Sequence, residues 1–91
     1  MVERIEFIQF SKRFRKEYQK VPPAIQKSFN EKLSYLINDR LHPSLRIKRI
    51  QGTKDKWEGS VSMKYRFTFE VHEKTIIFRA IRTHDILNRN V

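Results

Sequence analysis

The chain has 91 residues, of which 20 are Lys or Arg, 10 are Asp or Glu and none is Cys, for a formal net charge of +10. That length fits one small domain spanning 1–91, and 38% hydrophobic residues with seven Phe can supply its core, which excludes global disorder. The absence of cysteine excludes disulfide staples and Cys-ligated zinc. No apolar run reaches the length of a membrane span or signal segment, so a soluble, cytoplasmic chain without membrane contact is expected. Its charge predicts a polyanionic partner, either nucleic acid or an acidic protein.

The opening "RIEFIQF" suits a short first strand, with Ile5 and Phe7 flanking the polar Glu6. Phe7, Phe10, Phe14, Tyr18 and Val21 then recur at steps of three, four, four and three, which places them on one helical face. Ser11 is a candidate cap, and "VPP" ends the helix because Pro22 disfavours helical geometry at Val21. Pro23 can open a second helix. Ile25, Phe29, Leu33, Leu36 and Ile37 form its apolar stripe to about Arg40, before "HPSL" stops it at Pro43.

The remainder reads as sheet. A basic strand "LRIKRI" precedes the turn "QGTKDK". Trp57, Gly59, Val61 and Met63 alternate with polar residues, and so do Tyr65, Phe67, Phe69 and Val71, which is the period of a sheet buried on one face. "HEK" makes a hairpin tip, and the apolar "TIIFRAI" suits an inner strand. The predicted fold class is α+β: a short N-terminal strand and a helical hairpin packed on a roughly four-stranded antiparallel sheet. The face away from the helices is expected to be concave or open, and basic.

Candidate site residues follow from this layout. Arg66 should project from the open face, and Arg46, Lys48, Arg49, Lys54, Lys56 and Arg82 come from segments that a sheet would gather, so a polyphosphate chain could lie across them. The competing reading is a solvated face of scattered charge. His84, at the end of the last strand, can exchange protons near neutral pH, as RNA cleavage by a 2′-hydroxyl requires. Asp85 is a candidate to orient it, although adjacent strand residues point to opposite faces. A capping or surface role is the plainer reading of His84. His42 reads as a helix-stop residue and His72 as an exposed tip residue, so the three dispersed histidines make no metal motif and no metal or other cofactor is expected. Trp57 could stack on a base, but its alternation with Val61 and Met63 makes it core or core edge. There is no Gly-rich phosphate loop, nucleophile elbow or HExxH.

"FSKRFRKEYQKVPPAIQKSFNEKLSYL", "HPSLRIKRIQGTKDKWEGSVSMKYRFTFEV" and "IIFRAIRTHDIL" together cover nearly the whole chain and resemble the RelE/ParE superfamily of type II toxins. The closing "THDIL" looks like the terminal histidine motif of the YafQ-like branch. The resemblance implies a fold like that of microbial ribonucleases and a single toxin-like domain over 1–91. It also implies an acidic cognate antitoxin that forms a hetero-oligomer with the toxin, and a metal-independent endoribonuclease (an mRNA interferase) that cleaves mRNA on the ribosome. Arg66 matches the phosphate-contacting Arg of the RelE "YR" pair, and His84 matches the terminal proton-transfer His. The strand before "YR" departs from the pattern, carrying "WEGSVSM" where RelE-type enzymes have lysines and YafQ-like ones further His and Asp. A ParE-like inhibitor of DNA gyrase and a non-catalytic basic nucleic-acid-binding domain are the alternatives.

Overall fold

Ser11 fixes where the first helix begins. In the computed structural model, which describes residues 5–38 and 45–83, Ser11 has extended backbone and its hydroxyl accepts the Phe14 N–H at 3.0 Å. This is the bond of an N-cap serine, and helix α1 follows as Lys12–Lys20. The residues before the cap, Phe7–Phe10, form strand β1. The aromatic stripe therefore does not lie on one helix as its spacing predicted. It crosses a strand–helix junction, and Phe7 stands 61% exposed on the strand. Phe10 does join the stripe, with its ring 5.4 Å from those of both Phe14 and Phe78.

Val21 caps the end of α1, and Pro23 is the first residue of α2, Pro23–Asn38. Proline suits this first-turn position, where its missing N–H has no helical partner to lose. Tyr18 ties the two helices together. Its carbonyl accepts the Gln26 side-chain amide at 2.8 Å, and its hydroxyl donates to Asn30 Oδ1 at 3.1 Å. The predicted helix end near Arg40 and its stop at His42–Pro43 lie outside the described residues.

Four further strands are β2 (Lys48–Arg49), β3 (Lys56–Ser60), β4 (Tyr65–His72) and β5 (Thr75–Thr83). The sheet order is β1-β5-β4-β3-β2. The predicted α+β class and antiparallel meander are present, but β1 enlarges the sheet to five strands and lies parallel to β5. Two strands are shorter than their alternation suggested. Arg46 adopts φ 48, a left-handed conformation that interrupts "LRIKRI", so only two residues pair there. After Ser60 the N–H groups of Val61 and Ser62 both turn to the Tyr65 carbonyl, at 3.0 and 3.3 Å, and Met63 at the tip is 87% exposed.

The core lies between the helical hairpin and one face of the sheet. Phe14 and Phe29 from the helices meet Phe67, Phe69 and Phe78 from β4 and β5, and all five side chains are buried. Phe29 is the hinge of this cluster, with ring centroids 5.2 Å from Phe14, 5.5 Å from Phe67 and 5.3 Å from Phe78. Edge-to-face and tilted contacts of this kind add to the stabilisation from burial alone. Gly59 pairs with Phe67 across β3 and β4, and the Phe67 ring occupies the space a Cβ would need: its Cζ would lie 2.3 Å away. Here glycine is required by a close approach.

Candidate nucleic-acid interface

Cross-strand pairing sorts the candidate residues by face. Trp57, Gly59, Phe67 and Phe69 pair with one another toward the core, so their neighbours face the other way. The open face therefore carries Ser60, Arg66 and Arg82 in one row, and Lys48, Glu58, Thr68 and Ala80 in the next. A third row holds Lys56, Glu70 and Ile77. Between the second and third rows β5 bulges, because Phe69 pairs with Phe78 while Thr68 pairs with Ala80, leaving Arg79 as the extra residue. A bulge increases local twist and re-aims the side chain it carries. Arg79 accordingly reaches Glu70, with Nε 3.2 Å from Oε2.

This face is less open and less uniformly basic than the sequence suggested, with Ser60, Thr68 and Ala80 buried along it. Glu58 is only 6% exposed and pairs with Lys48 at 3.3 Å. Burying a carboxylate in this way requires such a partner. Glu70 accepts from Arg79 and also lies 2.9 Å from His72 Nε2. Two acidic side chains thus run down the middle of the face, and cations surround them.

Arg66 is where the sheet pattern placed it, on the open face beside the β3–β4 turn. Its Nη1 donates to three carbonyls of that turn, those of Ser62, Met63 and Tyr65. Ser62 Oγ braces the same turn by accepting the N–H groups of Lys64 and Tyr65 at 3.3 and 3.2 Å. The guanidinium is therefore held by one nitrogen, while its Nε and Nη2 donate no hydrogen bond among the described residues.

Arg82 stands opposite Arg66 in the ladder but is turned toward the helices, where its Nε donates to Glu17 Oε2. The other oxygen of Glu17 accepts the Ile81 N–H at 3.1 Å, and Arg13 approaches Oε2 at 3.5 Å. β1 stops at Phe10, so beyond that point β5 has an unpaired edge, which α1 covers. Ser11 continues the pairing by donating its N–H to the Phe78 carbonyl at 3.0 Å and its hydroxyl to the Arg79 carbonyl at 3.1 Å. Glu17 then takes over nearly two turns further along the helix.

The remaining candidates separate. Lys48 and Arg49 are neighbours on a strand and so point to opposite faces. Arg49 lies over the Trp57 ring, 5.1 Å from its centroid, on the helix side of the sheet. This is a cation–π contact, and Trp57 is half-buried at the core edge, as its alternation predicted. Lys56 is on the open face; Lys54 is in the turn before it, and Arg46 is in the bend before β2. Lys48, Lys56 and Arg66 are the candidates brought to one face, whereas Arg49 is not and Arg82 is held at its edge. His84 and Asp85 lie outside the described residues, immediately after Thr83, which pairs with Tyr65.

Two features escaped the sequence reading. Glu17 was not singled out in the sequence, where nothing local signals a partner 65 residues away. Asp55, Glu70 and His72 converge near the β4–β5 hairpin, with ligand-type atoms all within 4.8 Å of one another. The spacing of Glu70 and His72, two apart on one strand, was the available signal for this second feature. No described helix is long and apolar enough to cross a membrane.

A helical hairpin on one face of a mostly antiparallel sheet, with the Tyr-Arg strand at its centre, is the architecture of RelE-like toxins. No family model and no curated protein matches the sequence. Solved structures do. The chain is similar to the toxin in the RelB–RelE antitoxin–toxin complex of Methanococcus jannaschii, at 28% identity and TM-score 0.74, covering 89% of this chain and 95% of that one. It is also similar to the YoeB dimer of Staphylococcus aureus, at 17% identity and TM-score 0.74 over 89% and 98% of the two chains. The DinJ–YafQ toxin–antitoxin complex of E. coli matches at 19% identity and TM-score 0.72 over 92% and 97%. The chain thus has the RelE-like toxin fold.

Proposed function

We propose that this chain is the toxin of a type II toxin–antitoxin system and acts as a ribosome-dependent endoribonuclease on mRNA. The observation that carries the reading is the placement of Arg66. It stands on the open face of a RelE-like sheet, anchored through one nitrogen, with its remaining donors free of hydrogen bonds among the described residues. A guanidinium held in this way can meet two phosphate oxygens with little loss of conformational freedom.

In the proposed reaction the 2′-oxygen attacks the adjacent phosphorus, the bond to the 5′-oxygen breaks, and a cyclic phosphate and a 5′-hydroxyl result. Arg66 offsets the negative charge that builds on the phosphoryl oxygens. His84 takes the 2′-proton or protonates the leaving 5′-oxygen. Asp85 is proposed to orient its ring. No step in this scheme calls on a metal ion. Lys48, Lys54, Lys56 and Arg46 would contact the RNA backbone, and the ribosome would align the substrate, which can supply much of the rate enhancement. Arg49 and Arg82 would contribute at the margins, because each already has a partner within the protein. An acidic antitoxin is the expected partner, covering the basic sheet face or the helical hairpin. The site of action would be the cytoplasm, where ribosomes translate.

A ParE-like action on DNA gyrase is the second reading. It is favoured by Ser60 and Ser62, which stand around Arg66 and offer no acid or base. The test is to add purified protein to ribosomes translating a defined mRNA and to map new 5′ ends by primer extension. Free mRNA serves as a control, with His84→Ala, Arg66→Ala and Arg66→Lys run beside wild type. Ribosome-dependent cuts in the A site that fade in His84→Ala and Arg66→Ala are expected. Intact mRNA together with inhibited gyrase supercoiling would replace this reading with the second.

A further inference from the structure

The cluster of Asp55, Glu70 and His72 stands at the far end of β4 from Arg66. Six residues of strand separate His72 from Arg66, or roughly 20 Å. The trio is therefore distinct from the proposed catalytic Arg66, although it adjoins Lys54 and Lys56 of the proposed RNA-contacting set.

Three local features bring these side chains together. Glu70 and His72 are two apart on β4 and so share the open face. Lys56 pairs with Glu70 across the ladder, which sets the preceding residue, Asp55, at the mouth of the same row. His72 Nε2 then lies 2.9 Å from Glu70 Oε1 and 3.7 Å from Asp55 Oδ2. In a chain with twice as many cationic as acidic side chains, these carboxylates have turned to one imidazole nitrogen.

We propose that Asp55, Glu70 and His72 form a binding site for a divalent cation of the zinc class. Zinc takes His nitrogen and carboxylate oxygen at about 2.0–2.2 Å, so two ligand atoms of a tetrahedral site stand about 3.3–3.6 Å apart. The separations of 2.9 and 3.7 Å bracket that range. The side chains of Asp55 and His72 are both 47% exposed and can rotate to close on an ion. Mixed imidazole and carboxylate donors favour zinc-like ions over calcium, which takes six to eight oxygens. Arg79 holds Glu70 Oε2 at 3.2 Å and leaves Oε1 toward His72. Fixing a ligating carboxylate through its second oxygen is how outer partners orient metal ligands. Three protein ligands leave coordination positions for water, which suits a site at the surface. The bound ion would clip the turn before β3 to the end of β4, and with it the backbone that carries Lys54 and Lys56.

The test is isothermal titration of the isolated chain with Zn²⁺ in metal-free, phosphate-free buffer, with Co²⁺ absorption as a second probe of the ligand field. Wild type is expected to bind one equivalent. His72→Gln, which keeps a polar side chain near Glu70, and Asp55→Asn are each expected to weaken binding by more than the roughly 10–100-fold that loss of an outer partner costs. Circular dichroism of both variants guards against a folding defect. At a Zn²⁺ concentration about 100 times Kd, the thermal midpoint of wild type should rise by roughly 10–20 °C. Absence of binding would overturn the proposal and leave the trio as an ion-pair cluster. Binding of equal strength in His72→Gln would also overturn it, because the ion would then sit on other residues. Neither outcome depends on whether the chain cleaves RNA.

Discussion

Replacing Glu17 by alanine should be among the most damaging changes available at a polar residue of this protein. Its carboxylate makes two bonds to β5, accepting the N–H of Ile81 through one oxygen and the Arg82 guanidinium through the other. Ile81 is 1% exposed, so its orphaned N–H would have little access to water, and leaving such a donor unpaired costs about 1–3 kcal/mol. The bond to Arg82 is charge-assisted, with both side chains only 20% exposed, and bonds of that kind contribute about 1.5–3 kcal/mol. Because one carboxylate serves both, the two losses are not independent. We therefore expect Glu17→Ala to lose about 2–4 kcal/mol, against a total of roughly 5–15 kcal/mol for a natural domain. Glu17→Gln keeps an acceptor for Ile81 and should lose about half as much. Urea denaturation followed by circular dichroism measures both. A loss below about 0.5 kcal/mol in Glu17→Ala, the range of ordinary surface substitutions, would refute the reasoning.

Gly59→Ala should destabilise by about 1–3 kcal/mol or more, since its methyl group would enter the space of a Phe67 ring packed among Phe29, Phe69 and Phe78. The same denaturation assay reads it, and adding Phe67→Leu should make the Gly59→Ala step less costly. Ser11→Ala should cost about 1 kcal/mol as a lost N-cap, while Ser11→Thr, which keeps the hydroxyl, should retain most of that stability by thermal melting.

What was legible in the sequence was what short-range physics determines. Ser11 announced a cap, "VPP" a break between helices, and the alternation through Tyr65–Val71 a strand with one buried face; each rests on residues within a few positions of one another. Long-range partners were not legible. The spacing of Phe7, Phe10 and Phe14 continues smoothly across a strand–helix junction, because steps of three and four carry no mark of where a helix starts. Met63 completes an alternation begun by Trp57, yet the strand ends at Ser60 because the turn takes its hydrogen bonds from Tyr65. At the candidate interface the pattern placed Arg66 correctly by face. It did not reveal that Arg66 is tethered to its own turn, that Arg82 is engaged by α1, or that Arg49 lies over Trp57 on the other side. Those contacts depend on side-chain reach across the tertiary structure, which periodicity does not encode.

The parallel pairing of β1 with β5 also bears on the order in which the chain can fold. Phe7 pairs with Thr75 and Phe10 with Phe78, so the first strand to be synthesised takes its place beside the last of the described elements. The helical hairpin is local and can form early, but β1 has no ladder partner until β5 exists. Contacts this distant in sequence slow folding, because the intervening loop must close before they contribute. During synthesis Phe10 and Phe14 therefore wait without Phe78, against which both pack in the finished core. Exposed aromatic side chains at that stage invite association with other chains. The nascent chain remains vulnerable for as long as β5 is missing, because only β5 joins β1 to the β2–β3–β4 part of the sheet.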